Sequence, residues 1–66
     1  MLKSKSKLEE IRVKKGWSIS TLSKRSNVST KTIYRIEHNL TKPRNYILGK
    51  IANALQIKIE EVYEDE

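Results

Sequence analysis

The 66-residue sequence contains no cysteine and a single histidine, His38. Without cysteine there are no disulfide staples, no thiolate metal sites and no cysteine nucleophile, and one imidazole cannot assemble a metal centre alone. Neither a metal nor a cofactor is expected. Aliphatic residues never occur more than two in a row, as at Ile47-Leu48, so neither a membrane span nor a signal-peptide core is expected, and the natural setting is cytoplasmic. With two glycines in all there is no glycine-rich phosphate loop, and no paired carboxylates share an inward face. A chain this short hides only about 60% of the surface its unfolded form exposes, too little to wall off a substrate pocket, and catalysis is not expected.

Acidic residues are also scarce until the chain is nearly finished. Five of the eight (Glu60, Glu61, Glu64, Asp65 and Glu66) fall in the last seven residues, so residues 1–59 set 14 lysines and arginines against 3 acids, a net +11. A domain so small and so basic points to a polyanion, because each phosphate it neutralises releases counterions. The plain alternative is a solvated basic surface that only maintains solubility.

Sustained strand alternation is likewise missing. Instead, stop signals at Gly16, Asn27, Asn39, Pro43 and Gln56 separate segments with helical apolar spacing. The first helix is expected to start at Ser6, where Ser6 and Glu9 fit a capping box, and to end at Gly16. The second runs from Ser18 to about Ser26 and the third from Ser29 to about His38. Both repeat one grammar: Trp17-Ser18 with Leu22, then Val28-Ser29 with Ile33, each a serine cap inside a hydrophobic staple. Between these two helices only a tight turn fits, and Asn27 tolerates the left-handed conformation it requires. A fourth helix is expected from an Asn45 cap to Leu55 and a fifth from about Ile59 to Tyr63, with Glu60 and Glu61 in its first turn. The predicted fold is all-α: five short helices in one domain over residues 1–66, with a core at about 6–63 and frayed ends at 1–5 and 64–66.

The third helix is thinly apolar. At about 100° per residue Ile33 and Ile36 point one way with Glu37 beside them, while Lys31, Tyr34, Arg35 and His38 gather opposite, with Thr30 at the edge. That outward set holds no acid, unlike a solvated face laced with Glu/Lys pairs. Its side chains suit the edges and phosphates of DNA: Arg and Lys donate to guanine, Thr meets a thymine methyl and Tyr reaches a phosphate. Arg12 and Glu37 both fall on inward faces, where charges are seldom left unpaired. An ion pair between them is predicted to tie the first helix to the third.

In this order, Trp17-Ser18 through Leu22, Asn27-Val28-Ser29, Ile33-Tyr34-Arg35-Ile36-Glu37, Lys42-Pro43 and Ile51-Ala52-Asn53-Ala54-Leu55-Gln56-Ile57 resemble the phage repressor and Cro type of helix-turn-helix domain, the XRE family, over about residues 7–63. The resemblance implies a five-helix DNA-binding domain whose second motif helix enters the major groove. Carried over by position, it implies base contacts from Thr30, Lys31, Tyr34 and Arg35. It also implies phosphate contacts from Ser18, Ser20, Ser29, Lys42, Arg44 and Asn45, and a structural ion pair at Arg12 and Glu37. The chain departs from the family pattern in four places: Ile19 stands for a Gln that opens the second helix, Ser23 for a small Ala, and Asn27 and Asn39 for Gly.

The expected function is a repressor-like transcription regulator acting on double-stranded DNA, as a homodimer with Ile57, Ile59 and Tyr63 near the dimer surface. The alternative is a protein-interaction module, such as the antitoxin of a toxin pair. It is motivated by Ile19 as a docking point and by the acidic tail. Trp17 is expected to act as a core lid and His38 as a helix-end cation or a solvated residue.

Overall fold

The computed structural model of the protein describes residues 5–64. Among them are five helices, α1 (Leu8–Lys14), α2 (Ile19–Ser26), α3 (Thr30–Glu37), α4 (Asn45–Leu55) and α5 (Ile59–Val62). Two short strands, β1 (Lys5–Ser6) and β2 (Tyr63–Glu64), join the chain ends. The all-α prediction holds, with this ribbon added at one edge.

Two of the helix starts follow the predicted grammar. The Ser18 and Ser29 hydroxyls accept from the backbone N–H of Thr21 and Thr32, at 3.0 and 3.2 Å, the third residue of each helix. Val28 is buried and Trp17 packs against the core from the side, so each cap is flanked by its staple. Asn27 adopts φ 61°, ψ 37° in the turn between α2 and α3. Gly16 and Asn39 also take positive φ, at 77° and 57°.

One core serves all five helices. Leu8, Leu22, Ile33, Ile36, Ile51, Leu55 and Val62 are its largest fully buried side chains. α2 packs on both α3 and α4, α4 on α5, and α1 on α3. Ile19 is half-buried against this core.

Three expected boundaries are corrected. α1 begins at Leu8 with Lys7 as its cap, not at Ser6. Ser6 is held extended opposite Tyr63, so its hydroxyl reaches only the Leu8 N–H, at 3.2 Å, and no capping box with Glu9 forms among the described residues. α4 is opened by Arg44, whose carbonyl accepts from Ile47 and Leu48 at 3.0 Å each, so Asn45 lies one residue inside the helix and caps nothing. Tyr63 leaves α5 for β2.

The frayed ends are corrected too, where they are described. Lys5 and Ser6 pair antiparallel with Glu64 and Tyr63. The Lys7 N–H donates to the Val62 carbonyl at 2.8 Å and the Lys7 ammonium lies 3.5 Å from Glu64. The remaining expected frayed positions, residues 1–4 and 65–66, lie outside the described residues.

Gln56 closes α4 with φ 60°, ψ 43°. A left-handed backbone costs a residue with a side chain about 1–2 kcal/mol, while the extra freedom of an unfolded glycine offsets about 0.4–1 kcal/mol. Gln56→Gly is therefore expected to stabilise the domain by about 0.5–1 kcal/mol, raising the thermal midpoint by about 2–8 °C when unfolding is followed by circular dichroism.

Candidate nucleic-acid interface

The thin apolar side of α3 is sufficient because it is held by more than grease. Ile33 and Ile36 are fully buried and Glu37 is nearly so. The Glu37 carboxylate receives two bonds from Arg12: Nε to Oε2 at 2.7 Å and Nη2 to Oε1 at 3.2 Å. The third arm of the guanidinium, Nη1, donates to the Trp17 carbonyl at 2.8 Å. One side chain of α1 thus fixes both α3 and the turn that leads into α2. The Glu37 hydrogen bond raises the Arg12 pKa, and burial opposes it only in part. The predicted ion pair is present, and its fork geometry is one lysine cannot supply.

With Ile33, Ile36 and Glu37 turned inward, the opposite face of α3 is left to solvent. Thr30, Lys31, Tyr34 and Arg35 are all exposed. So are Ser18 and Ser20 at the start of α2, Ser29 at the start of α3, and Lys42, Arg44 and Asn45 before and at the start of α4. Every residue predicted to touch DNA is therefore accessible, and the ion-pair residues are not. Arg35 of α3 borders a cleft of about 260 Å³ together with Thr32, Lys42, Arg44 and Tyr46, so one predicted base contact and two predicted phosphate contacts converge on a single groove. Lys42 and Asn45 also line a second cleft of similar size, beside Ile59, Glu60 and Tyr63.

Four of the six acids among the described residues are engaged. Glu37 is taken by Arg12, Glu10 lies 3.7 Å from Lys14 and Glu64 3.5 Å from Lys7. Glu61 accepts from the Lys58 backbone N–H at 3.3 Å. Glu37 is the only acid of α3 and is turned inward, so the charge facing solvent from α3 is of one sign.

Two arrangements were not foreseen from the sequence. The rings of Tyr34 and His38 lie 4.2 Å apart at 45°, which stiffens the phenol on the outward face. Their four-residue spacing on one helix is the signal that would have revealed this. The Trp17 ring, expected only as a core lid, also carries cations: the Arg25 guanidinium carbon is 4.7 Å and the Lys15 ammonium 5.9 Å from its centroid.

A capped helix, a left-handed asparagine turn, a second capped helix with an outward basic face and a buried ion pair behind it together describe a known motif. The family model described as Helix-turn-helix matches residues 8–62, well over half of the chain. The chain belongs to the Cro/XRE-type helix-turn-helix family. No curated protein matches it. Helix-turn-helix domains of this type are DNA-binding regulatory modules, and the family points to DNA as the partner of the domain. No helix among the described residues is long and apolar enough to cross a membrane.

Proposed function

We propose that this helix-turn-helix protein is a sequence-specific, repressor-like transcription regulator, cytoplasmic, that inserts α3 into the major groove. The observation that carries the reading is the division of α3 itself: an acid-free outward face of Thr30, Lys31, Tyr34 and Arg35 on a helix fixed from behind by Arg12 and Glu37. Lys31 and Arg35 donate to guanine edges, Thr30 meets a thymine methyl, and Tyr34 reaches base or backbone. Ser18, Ser20 and Ser29 with the amides around them hold phosphates on one side of the groove, and Lys42, Arg44 and Asn45 on the other.

Homodimerisation on a two-fold operator, with half-sites about one helical turn apart, belongs to the same reading. Within the protomer Tyr63 is buried and Ile57 half-buried against the core, so of the three side chains expected near a dimer surface only Ile59, 37% exposed, is offered to a second copy. The antitoxin alternative drew on Ile19 and the acidic tail. Ile19 is half-buried against the core and Glu64 pairs with Lys7, while Glu60 and Glu61 remain exposed, and co-purification of a stoichiometric partner from native cells would favour this alternative.

Selection of bound sequences from a random duplex pool, followed by mobility shift, tests the proposal. Lys31→Ala and Arg35→Ala are each expected to relax the preference at one base position by about 1–3 kcal/mol while leaving thermal stability unchanged. Undiminished preference in both variants sinks the assignment.

A further inference from the structure

The start and middle of α3 are held by Ser29, Val28 and Arg12, but the turn that follows Glu37 is held by something else. Asn39 sits at φ 57°. Around it the helix closes with the Asn39 N–H on the Ile36 carbonyl at 3.2 Å and the Leu40 N–H on the Arg35 carbonyl at 2.9 Å. Glycine takes this conformation with no steric strain, so a side chain here needs a reason.

The reason is visible in its amide. Asn39 Oδ1 accepts the backbone N–H of Ser6 at 2.9 Å, a bond between residues 33 apart in sequence. Ser6 lies in β1 opposite Tyr63, and the next residue, Lys7, is tied to Val62 and Glu64. Asn39 therefore joins the ribbon made by both chain ends to the turn whose hydrogen bonds include the Arg35 carbonyl. A glycine at this position would close the helix equally well but would leave the ribbon and α3 unconnected at this point.

We propose that Asn39 is a positioning residue for the DNA-reading face: its amide fixes the last turn of α3 against the terminal ribbon and so sets the angle at which Arg35 meets a base. The inference rests on the DNA-binding reading above. A bidentate base contact tolerates misplacement of only about 0.5 Å. Arg12 grips α3 on its inward side alone, while the bond from Ser6 restrains the chain beyond the helix end.

Asn39→Gly tests this cleanly, because it keeps the left-handed turn and removes only the amide. Its thermal midpoint is expected to stay within a few degrees of the wild type. Its preference for the selected duplex over unrelated duplex should fall about three- to tenfold, the range expected for one lost hydrogen bond. The salt dependence of binding should be unchanged, because no phosphate contact is lost. Amide exchange at Ser6 should accelerate in Asn39→Gly and remain slow in Asn39→Asp, which retains an oxygen acceptor.

Wild-type preference in Asn39→Gly with fast exchange at Ser6 would overturn the positioning role while leaving DNA binding intact. So would a lowered midpoint with preference retained, which would make the bond a matter of stability alone, or unchanged exchange at Ser6, which would mean the bond does not form. A wild-type protein that selects no sequence from the pool would instead overturn the DNA-binding reading itself.

Discussion

Arg12→Ala is expected to destabilise the domain by about 3–5 kcal/mol, measured as a lowered midpoint in urea followed by circular dichroism. The reason is the partner left behind: the Glu37 side chain is 1% exposed, and without Arg12 its carboxylate keeps neither of the two bonds that now balance its burial. The Trp17 carbonyl loses its donor as well. A chain of 66 residues has a total stability of only about 3–10 kcal/mol, so the loss removes from about a third to the whole of it. Removing both charges is a different experiment. Arg12→Met with Glu37→Leu leaves no buried ion and is expected to recover most of the loss, or to exceed the wild type. If the single variant melted like the wild type, the fork would contribute nothing.

The pH dependence of this pair follows from the direction of its shift. The Arg12 pKa is raised in the folded state above the ordinary guanidinium value by its bond to Glu37, so its stabilising contribution is complete below that ordinary value and is lost only as pH rises through the higher folded one. Between roughly pH 6 and 9 the guanidinium should therefore add no slope to stability. The brace behind α3 does not weaken in mildly alkaline solution.

What could be read from the sequence follows the range of the interactions concerned. Ser18 and Ser29 cap the helices they precede, and Asn27 takes the turn between them, because these are contacts within a few residues, set by side-chain chemistry that context seldom overrides. The Arg12–Glu37 pair spans 25 residues yet was legible, because two charges on inward faces leave each other as the economical partner. The ribbon was not legible. Each strand is two residues long, too short for alternation to register, and the two lie at opposite ends of the chain. That single omission also misplaced the start of α1, since Ser6 was assigned to a cap when a strand claims it. It hid the role of Asn39, which as a sequence letter reads only as a tolerable glycine substitute. At the interface, the exposure of Thr30, Lys31, Tyr34 and Arg35 followed from helical phase and the other six expected contacts from the family resemblance, whereas the convergence of Arg35, Lys42 and Arg44 on one cleft depends on how α4 packs beneath its loop.

The division of α3 into an inward and an outward face is tested from the inside by Ile33→Ala, expected to cost about 2–5 kcal/mol, with Ile33→Val at about 0.5–1.5. Ile33 is fully buried and is one of only three buried residues in α3, the others being Ile36 and Glu37. Truncating it empties volume between α3 and the rest of the core without stranding a charge, so the loss should grow with the number of methyl and methylene groups removed. Arg12→Ala lacks that graded behaviour. DNA binding then separates the two faces. For Ile33→Ala, apparent affinity should fall only in proportion to the folded fraction, and site preference should be retained once saturating DNA or low temperature restores the fold. Lys31→Ala should show the reverse, full stability with relaxed preference. An Ile33→Ala protein that melts within a degree of the wild type would mean that this side chain faces solvent, and on an eight-residue helix that rotation would carry Lys31 and Arg35 away from the surface on which the DNA-binding proposal places them.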